Sequence, residues 1–206
     1  MLLTKEHEIL RVMADRPWAA LTFREVKTLS RKRSESYVYN TLKKLVKEEI
    51  ISEERKGNVV LYHLNASLHA AAYAGIVAEH ATKSAKQLPH ALLEALAKKI
   101  PTAFFVLLVT GSYAEGTQKK VSDLDVVIIC DNAERPARIS AEIRHFCETS
   151  VPAVHPYIFT QQEFLTMLLD EKQNYGKEAA RKHLITAGGR EYYTIIGEAV
   201  RHGFTR

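Results

Sequence analysis

Short apolar runs mark the second half of the chain. Residues 103–109 and 126–130 are rich in β-branched, aromatic and other large apolar side chains, a composition typical of buried strands rather than helices. Residues 153–159 predict a third strand. Amphipathic helices are predicted at residues 135–148, 161–170, 175–183 and 190–202. This alternation predicts an α+β fold, a small mixed sheet with helices packed on it.

The N-terminal residues show another pattern, in which three short helices precede two strands. Apolar residues recur at helical spacing in residues 4–14, and Thr22 with Glu25 forms a capping box that begins the second helix. Residues 31–47 predict the third helix, and residues 50–64 predict a hairpin.

These patterns divide the chain into three segments. We expect an N-terminal domain at residues 1–65, a helical connector at residues 66–100 and a second domain at residues 101–206. The first helix of the connector is rich in Ala, and helices of that kind pack closely. It could therefore form the seam of a homodimer, or it could lie against the second domain.

One face of the third predicted helix, together with the turn of the hairpin, combines cationic and hydrogen-bonding side chains. A helix that enters the major groove of DNA requires this combination. The candidate DNA-contacting residues are Arg31, Lys32, Arg33, Ser34, Ser36, Tyr37, Asn40, Lys44, Arg55 and Lys56. In element order and charge placement the segment resembles a winged helix-turn-helix domain, which implies DNA as a partner. A protein-docking surface, a solvated face and binding of structured RNA remain open alternatives.

The charge of the chain is concentrated near the N-terminus. Of the net +5, residues 1–65 hold 13 Lys and Arg against 9 Asp and Glu, whereas the remainder holds 16 against 15. A basic excess at one end suggests that this end meets a polyanion. No apolar run approaches the ~20 residues that cross a bilayer, so no membrane partner is expected. Cys130 and Cys147 are isolated, and Cys130 is expected to be a core thiol, which favours a reducing cytoplasm.

The loop between the first two predicted strands of the second domain carries the residues of greatest chemical interest. Gly111-Ser112 opens the loop, and Asp123 and Asp125 close it. Glycine lets the backbone approach a ligand closely, and the following N–H groups with the Ser112 hydroxyl can cradle phosphate oxygens. Two carboxylates at i and i+2 share one face of a strand, where a hard cation such as Mg²⁺ relieves their repulsion. A simpler interpretation is an acidic loop with a glycine turn.

Gly-Ser, ten residues and Asp-x-Asp form a motif that resembles the signature of the nucleotidyltransferase superfamily, with the DNA polymerase beta-like fold. The resemblance is to the minimal nucleotidyltransferases of prokaryotes, some of which are fused to winged helices, chiefly in archaea. It implies Mg²⁺ as cofactor and ATP or another nucleoside triphosphate as substrate. It also implies metal ligation and catalysis by Asp123 and Asp125, and nucleotide or phosphate contacts by Gly111, Ser112 and Ser122.

The third predicted strand departs from this family pattern. Active members commonly supply a third carboxylate there, whereas this chain has His155. Histidine is a poor Mg²⁺ ligand, but it can contact a phosphate or act as a base. A structural histidine beside Pro156 is an equal alternative, so the sequence leaves catalysis open.

Two functions are compatible with these features. The first is an enzyme that transfers a nucleoside monophosphate to a protein or small-molecule acceptor. A helical toxin-like protein is one such acceptor implied by the resemblance, with the chain acting as an antitoxin-like regulator. The second is a transcriptional regulator whose second domain senses a nucleotide without turnover.

Overall fold

The computed structural model describes residues 5–205, which fall into two compact units. The first unit contains the residues up to Ala78 together with those from Gly189 onward, and the second contains Glu79–Gly188. This division differs from the expected one, because the connector is split and the C-terminal helix joins the N-terminal unit. Among the described residues, no helix is both long enough and apolar enough to cross a membrane.

Within residues 5–205, the first unit combines five helices with a three-stranded antiparallel sheet of order β1-β3-β2. The five helices include α4, whose last residues belong to the second unit. Its elements are α1 (His7–Ala14), β1 (Leu21–Thr22), α2 (Phe23–Leu29), α3 (Glu35–Lys47), β2 (Ile51–Lys56), β3 (Val59–Leu64), α4 (Leu68–Lys83) and the C-terminal α10 (Gly189–Arg201). The three predicted helices and the hairpin are confirmed. The two-residue strand β1 was not predicted, because a strand this short leaves no alternating pattern in the sequence.

Side-chain caps fix where two of these helices begin. Thr22 accepts a hydrogen bond from the backbone N–H of Glu25, and the Glu25 carboxylate accepts one from the backbone N–H of Thr22 at 2.7 Å. This reciprocal pair confirms the predicted capping box. Ser34 caps α3 by accepting a hydrogen bond from the backbone N–H of Tyr37 at 3.2 Å. These caps satisfy N–H groups that a helix start otherwise leaves unpaired.

Helix α10 packs in the first unit, which corrects its expected place in the second domain. The buried hydroxyl of Tyr193 donates a hydrogen bond to the carbonyl oxygen of Ala14 at 3.0 Å, and Arg201 donates one to the carbonyl oxygen of Ala66 at 3.1 Å. The rings of Phe204 and Trp18 meet edge to face, with centroids 5.6 Å apart. Such interactions between distant residues leave no signature in the local sequence pattern. The prediction therefore assigned α10 to the second domain only because α10 follows that domain in the chain.

Gly75 allows α4 and α10 to approach closely. A Cβ atom at this position would lie 2.5 Å from the backbone nitrogen of Arg190 and 2.5 Å from the carbonyl carbon of Gly189. Helix propensity alone predicts that Gly75→Ala stabilises the protein by ~1 kcal/mol. We expect the opposite sign, a net loss of about 1–3 kcal/mol, because backbone atoms cannot yield as a side chain can. Chemical denaturation measures the change, and a variant more stable than wild type would contradict this packing.

The second unit is a four-stranded mixed sheet of order β6-β5-β4-β7 with helices on both faces. Its elements are α5 (His90–Ala97), β4 (Phe105–Val109), α6 (Gly111–Glu115), β5 (Leu124–Cys130), α7 (Pro136–Thr149), β6 (Val154–Thr160), α8 (Gln161–Leu169), α9 (Tyr175–Arg181) and β7 (Leu184–Ala187). Strands β5 and β6 are parallel, and the other pairs are antiparallel. The mixed α+β sheet is as predicted, but β7 was interpreted as a connection between helices.

Alternation along β5 decides which side chains enter the core. Leu124, Val126 and Ile128 are fully buried in a cluster with side chains of α5 and α7. Because successive side chains of a strand point to opposite faces, Asp123 and Asp125 lie on the other side of the sheet. Cys130 is buried in the same cluster as a free thiol, which confirms the expected core role.

Candidate functional site

Two carboxylates and one imidazole meet at the start of β5. The side chain of His155 on β6 lies 3.7 Å from Asp123, measured from Nε2 to Oδ2, and 3.9 Å from Asp125, measured from Nδ1 to Oδ1. The parallel register places His155 directly beside Asp125. Both carboxylates therefore point to the same side of the strand, as their spacing predicted.

Gly111 brings the backbone against one of these carboxylates. It begins α6 with a φ of +61°, and a Cβ atom there would lie 2.4 Å from Oδ2 of Asp125. Only a residue without a side chain fits this position without moving the carboxylate. The backbone N–H of the preceding Thr110 donates to the carbonyl oxygen of Asp125 at 3.0 Å, which ties the turn to β5. The glycine and the aspartates thus form one site.

The other two predicted phosphate-binding residues lie in the same loop. Ser112 is the second residue of α6, and its carbonyl oxygen accepts a hydrogen bond from the backbone N–H of Thr117 at 2.9 Å. The hydroxyl oxygen of Ser122 accepts a hydrogen bond from the backbone N–H of Lys119 at 2.8 Å. Ser122 therefore stabilises the turn that leads into Asp123, a structural role that its position in the motif did not reveal.

The electrostatics of the site favour a bound cation. Burial raises the pKa of Asp125, the His155 imidazole lowers it, and the neighbouring charge of Asp123 raises it again. A hard divalent cation with oxygen ligands would relieve this repulsion. Among residues 5–205, no three His, Cys, Asp or Glu side chains form a metal-binding group. The two carboxylates fit such a cation as a partial ligand set, with further oxygens to come from phosphate and water.

A cleft of about 220 Å³ opens in front of Asp125. Besides Gly111 and Asp125, it is lined by Thr110, Glu115, Tyr157, Tyr175, Glu178, Ala179 and Lys182. Sequence reasoning missed Tyr157, Tyr175 and Lys182. Tyr157 could have been found from strand alternation, because it lies two residues after His155, whereas Tyr175 and Lys182 reach the cleft only through the packing of α9. A larger cavity of about 500 Å³ elsewhere in this unit contains neither aspartate, so size does not identify the site.

The predicted DNA-contacting residues lie in the connection before α3, on α3 itself and at the end of β2, next to the hairpin turn. Arg33, Ser36 and Asn40 are exposed. Three of the lysines pair with carboxylates: Lys32 with Glu8, Lys44 with Glu6 at 2.8 Å, and Lys56 with Glu54 at 3.5 Å. Exposed ion pairs of this kind contribute about 0–1 kcal/mol, so a phosphate group could displace the carboxylates.

The remaining members of that set have individual roles. Arg31 has a positive φ of 54° in the connection before α3, and Ser34 caps that helix. Arg55 donates from Nε to the carbonyl oxygen of Gly57 at 3.4 Å, within the hairpin turn.

Tyr37 does not lie on the outer face of α3, which corrects its predicted placement. Its ring packs partly buried against the core of the first unit, and its hydroxyl is buried without a hydrogen-bond partner among the described residues. The aromatic residue exposed on α3 is Tyr39, with the Lys43 ammonium 5.8 Å from its ring centroid. The predicted polar face of α3 included one residue too many. Tyrosine has an apolar ring and a polar hydroxyl, so it can face either water or the core.

Comparison with known proteins finds a similarity for part of the chain. Residues 91–182 match a family model described as a nucleotidyltransferase domain, and this segment includes Gly111, Asp123, Asp125 and His155. Neither the comparison with curated proteins nor the comparison with solved structures gave a match. The family match and the geometry agree on the same loop. Residues 91–182 are therefore similar to a nucleotidyltransferase domain, in the segment that holds the paired carboxylates.

Proposed function

We propose that the second unit is an active enzyme that transfers a nucleoside monophosphate, with ATP as the expected donor and Mg²⁺ as the expected cation. The acceptor is a hydroxyl group of a protein or a small molecule, and a helical toxin-like protein is one candidate. The observation that supports this proposal best is the close approach of Gly111 to Asp125, with Asp123 on the same side of the strand. This arrangement combines a backbone that can approach a phosphate closely with a pair of carboxylates that can bind a cation.

The residues of the site have separate roles in this reaction. Gly111 and Ser112 place backbone close to the phosphates, and Asp123 with Asp125 holds the cation that neutralises phosphate charge. The acceptor hydroxyl attacks the α-phosphorus in line, the bond to the β-phosphate breaks, and pyrophosphate leaves with the bonding electrons. His155, exposed beside both carboxylates, accepts the hydroxyl proton.

Nucleotide binding and label transfer by the full-length chain test the proposal. Calorimetry with ATP and Mg²⁺ measures binding, and incubation with α-labelled ATP and candidate acceptors measures transfer. A chain that binds ATP with Mg²⁺ and labels no acceptor would favour a regulator that senses the nucleotide. The absence of a carboxylate at His155 is the specific observation behind that second candidate. A chain that binds no nucleoside triphosphate would contradict both.

We further propose that the first unit is a winged helix that binds DNA. Support comes from its order of elements, three helices followed by a hairpin, from the exposed Arg33 just before α3, and from the exposed Ser36 and Asn40 on α3. The cationic turn of the hairpin, with Arg55 and Lys56, would contact the backbone beside the groove. Together the two activities suit an autoregulating, antitoxin-like protein.

Salt dependence tests the DNA proposal directly. We expect affinity for duplex DNA to fall steeply with salt, because bound cations release counterions from the phosphates. Replacing Arg33 and Arg55 by Gln should weaken binding and reduce the slope of log K against log salt by about 0.9 for each phosphate that the protein no longer neutralises. Fluorescence anisotropy with a labelled duplex measures both quantities.

Lys98→Gln provides the control, because Lys98 is an exposed cation of the second unit that pairs with Glu94 at 3.1 Å. Equal affinity and slope in the Arg33/Arg55 variant and in this control would contradict DNA binding by α3 and the hairpin. Preference for transfer RNA over duplex DNA in competition would assign the surface to structured RNA instead.

A further inference from the structure

A pair of tyrosine rings forms one wall of the cleft beside Asp125. Tyr157 comes from the edge strand β6 and Tyr175 from the first turn of α9, and their ring centroids lie 4.3 Å apart at an interplanar angle of 37°. The side chain of Tyr157 remains 41% exposed, although its neighbours Val127 and Ile129 on β5 are fully covered. Part of the aromatic surface of Tyr157 is thus exposed in the cleft.

The rings are held in place before any ligand arrives. Tyr175 shares a hydrogen bond with the hydroxyl of Thr110 at 3.1 Å, and its ring centroid lies 6.4 Å from that of Phe159. Asn174 caps α9 by accepting from the backbone N–H of Lys177, which fixes the turn that carries Tyr175. A ring that is already positioned costs little entropy when a second planar group stacks on it.

The position of the pair relative to the aspartates fits the length of a nucleotide. His155 lies beside Asp125, and Tyr157 follows two residues later on the same face of β6, about 7 Å along the strand. Phosphates held at Gly111 and Asp125 would therefore leave the ribose and base close to the tyrosine pair. Tyr157 on β6 and Gly111, which follows β4, line the same cleft from the two sides of β5.

We propose that Tyr157, supported by Tyr175, is the stacking surface for the base of the nucleoside triphosphate. This inference rests on the proposed nucleotide-binding function and adds the residues that hold the base. Stacking is tolerant of base identity, because every base has a π-face. The tyrosine pair therefore provides affinity for a nucleoside rather than selection among the four bases.

Comparing two ligands separates base binding from phosphate binding. Calorimetry on the full-length chain would measure the affinity for ATP and for tripolyphosphate, each with Mg²⁺. For Tyr157→Leu we expect roughly tenfold weaker ATP binding and unchanged tripolyphosphate binding, because only ATP carries a base. Tyr157→Phe retains the aromatic face and should restore most of the missing ATP affinity. Unchanged tripolyphosphate binding also shows that the variant is folded.

Phe104→Leu is the matched control, because Phe104 is a 71% exposed aromatic residue that does not line the cleft. Three results would overturn the assignment. They are an unchanged ATP affinity in Tyr157→Leu, an equal loss for both ligands, and an equal loss in Phe104→Leu. A wild-type chain that binds neither ligand would instead contradict the proposed function itself, and the base surface with it.

Discussion

Replacing Asp123 and Asp125 by Asn is expected to lower nucleotide transfer by on the order of 10³-fold or more, equivalent to ~4 kcal/mol of transition-state stabilisation. Asn keeps the size and shape of each side chain but removes the charge that binds the cation. The two carboxylates face the same His155, so they act on one site rather than two. Transfer of label from α-labelled ATP, measured across a Mg²⁺ titration, reports the loss.

The stability of this variant should change in the opposite direction to its activity. Burial and the charge of Asp123 both raise the pKa of Asp125, which shows that the neighbouring charge disfavours the ionised carboxylate. Removing the charges relieves that repulsion, so unfolding should occur at the same or at a higher denaturant concentration. Loss of activity with retained stability identifies a functional site. Loss of both would mean that the carboxylates hold the fold together.

Glu94→Gln is the control for this experiment, because it also neutralises a carboxylate in the second unit. Glu94 is exposed on α5, where it pairs with Lys98, and it lies outside the cleft. Its replacement should leave transfer unchanged. A double aspartate variant that transfers label at the rate of this control would exclude the proposed catalytic site.

Gly111→Ala is expected to weaken binding of ATP with Mg²⁺ by at least about tenfold while leaving the protein folded. The new Cβ atom would lie 2.4 Å from Oδ2 of Asp125, at the free end of a side chain that can rotate away. The fold therefore survives the clash, but the carboxylate leaves its position opposite the backbone turn. Calorimetry and thermal unfolding measure the two effects separately.

Gly116→Ala is the matched control for Gly111→Ala. Gly116 ends α6 with a φ of +71°, similar to the +61° of Gly111, so both substitutions carry the same kind of left-handed backbone strain of ~1–2 kcal/mol. No atom lies within 4 Å of a Cβ atom built at Gly116. Equal losses of ATP affinity in the two variants would assign the effect to backbone strain and not to displacement of Asp125.

The sequence best predicted the features that depend on residues close together in the chain. The strands on either side of the Gly111 loop, the capping box at Thr22, and the shared face of Asp123 and Asp125 all follow from spacings of two to four residues. Backbone geometry fixes where residues at such spacings point. These features could therefore be predicted without knowledge of the tertiary fold.

Features built from distant residues could not be predicted in this way. The short strand β7 lies between two helices in the chain, and β4, the strand with which it pairs, is distant in sequence. Tyr37 was placed on the wrong face of α3, because the amphipathic character of tyrosine lets it satisfy either environment. Tyr175 and Lys182 reach the cleft on α9, which the local pattern predicts as a helix without indicating what it packs against.

The sequence by itself determined most of the helices and strands, the Gly111 turn and the pair of carboxylates, because these depend on local backbone geometry and on residue chemistry. Only the tertiary structure decided that α10 joins the N-terminal unit, through Gly75 and the hydrogen bond from Tyr193 to Ala14. It also placed Tyr157 and Tyr175 together beside Asp125. Interactions between residues far apart in the chain depend on how the surfaces of whole helices and strands pack together. The spacing of neighbouring residues does not determine this packing.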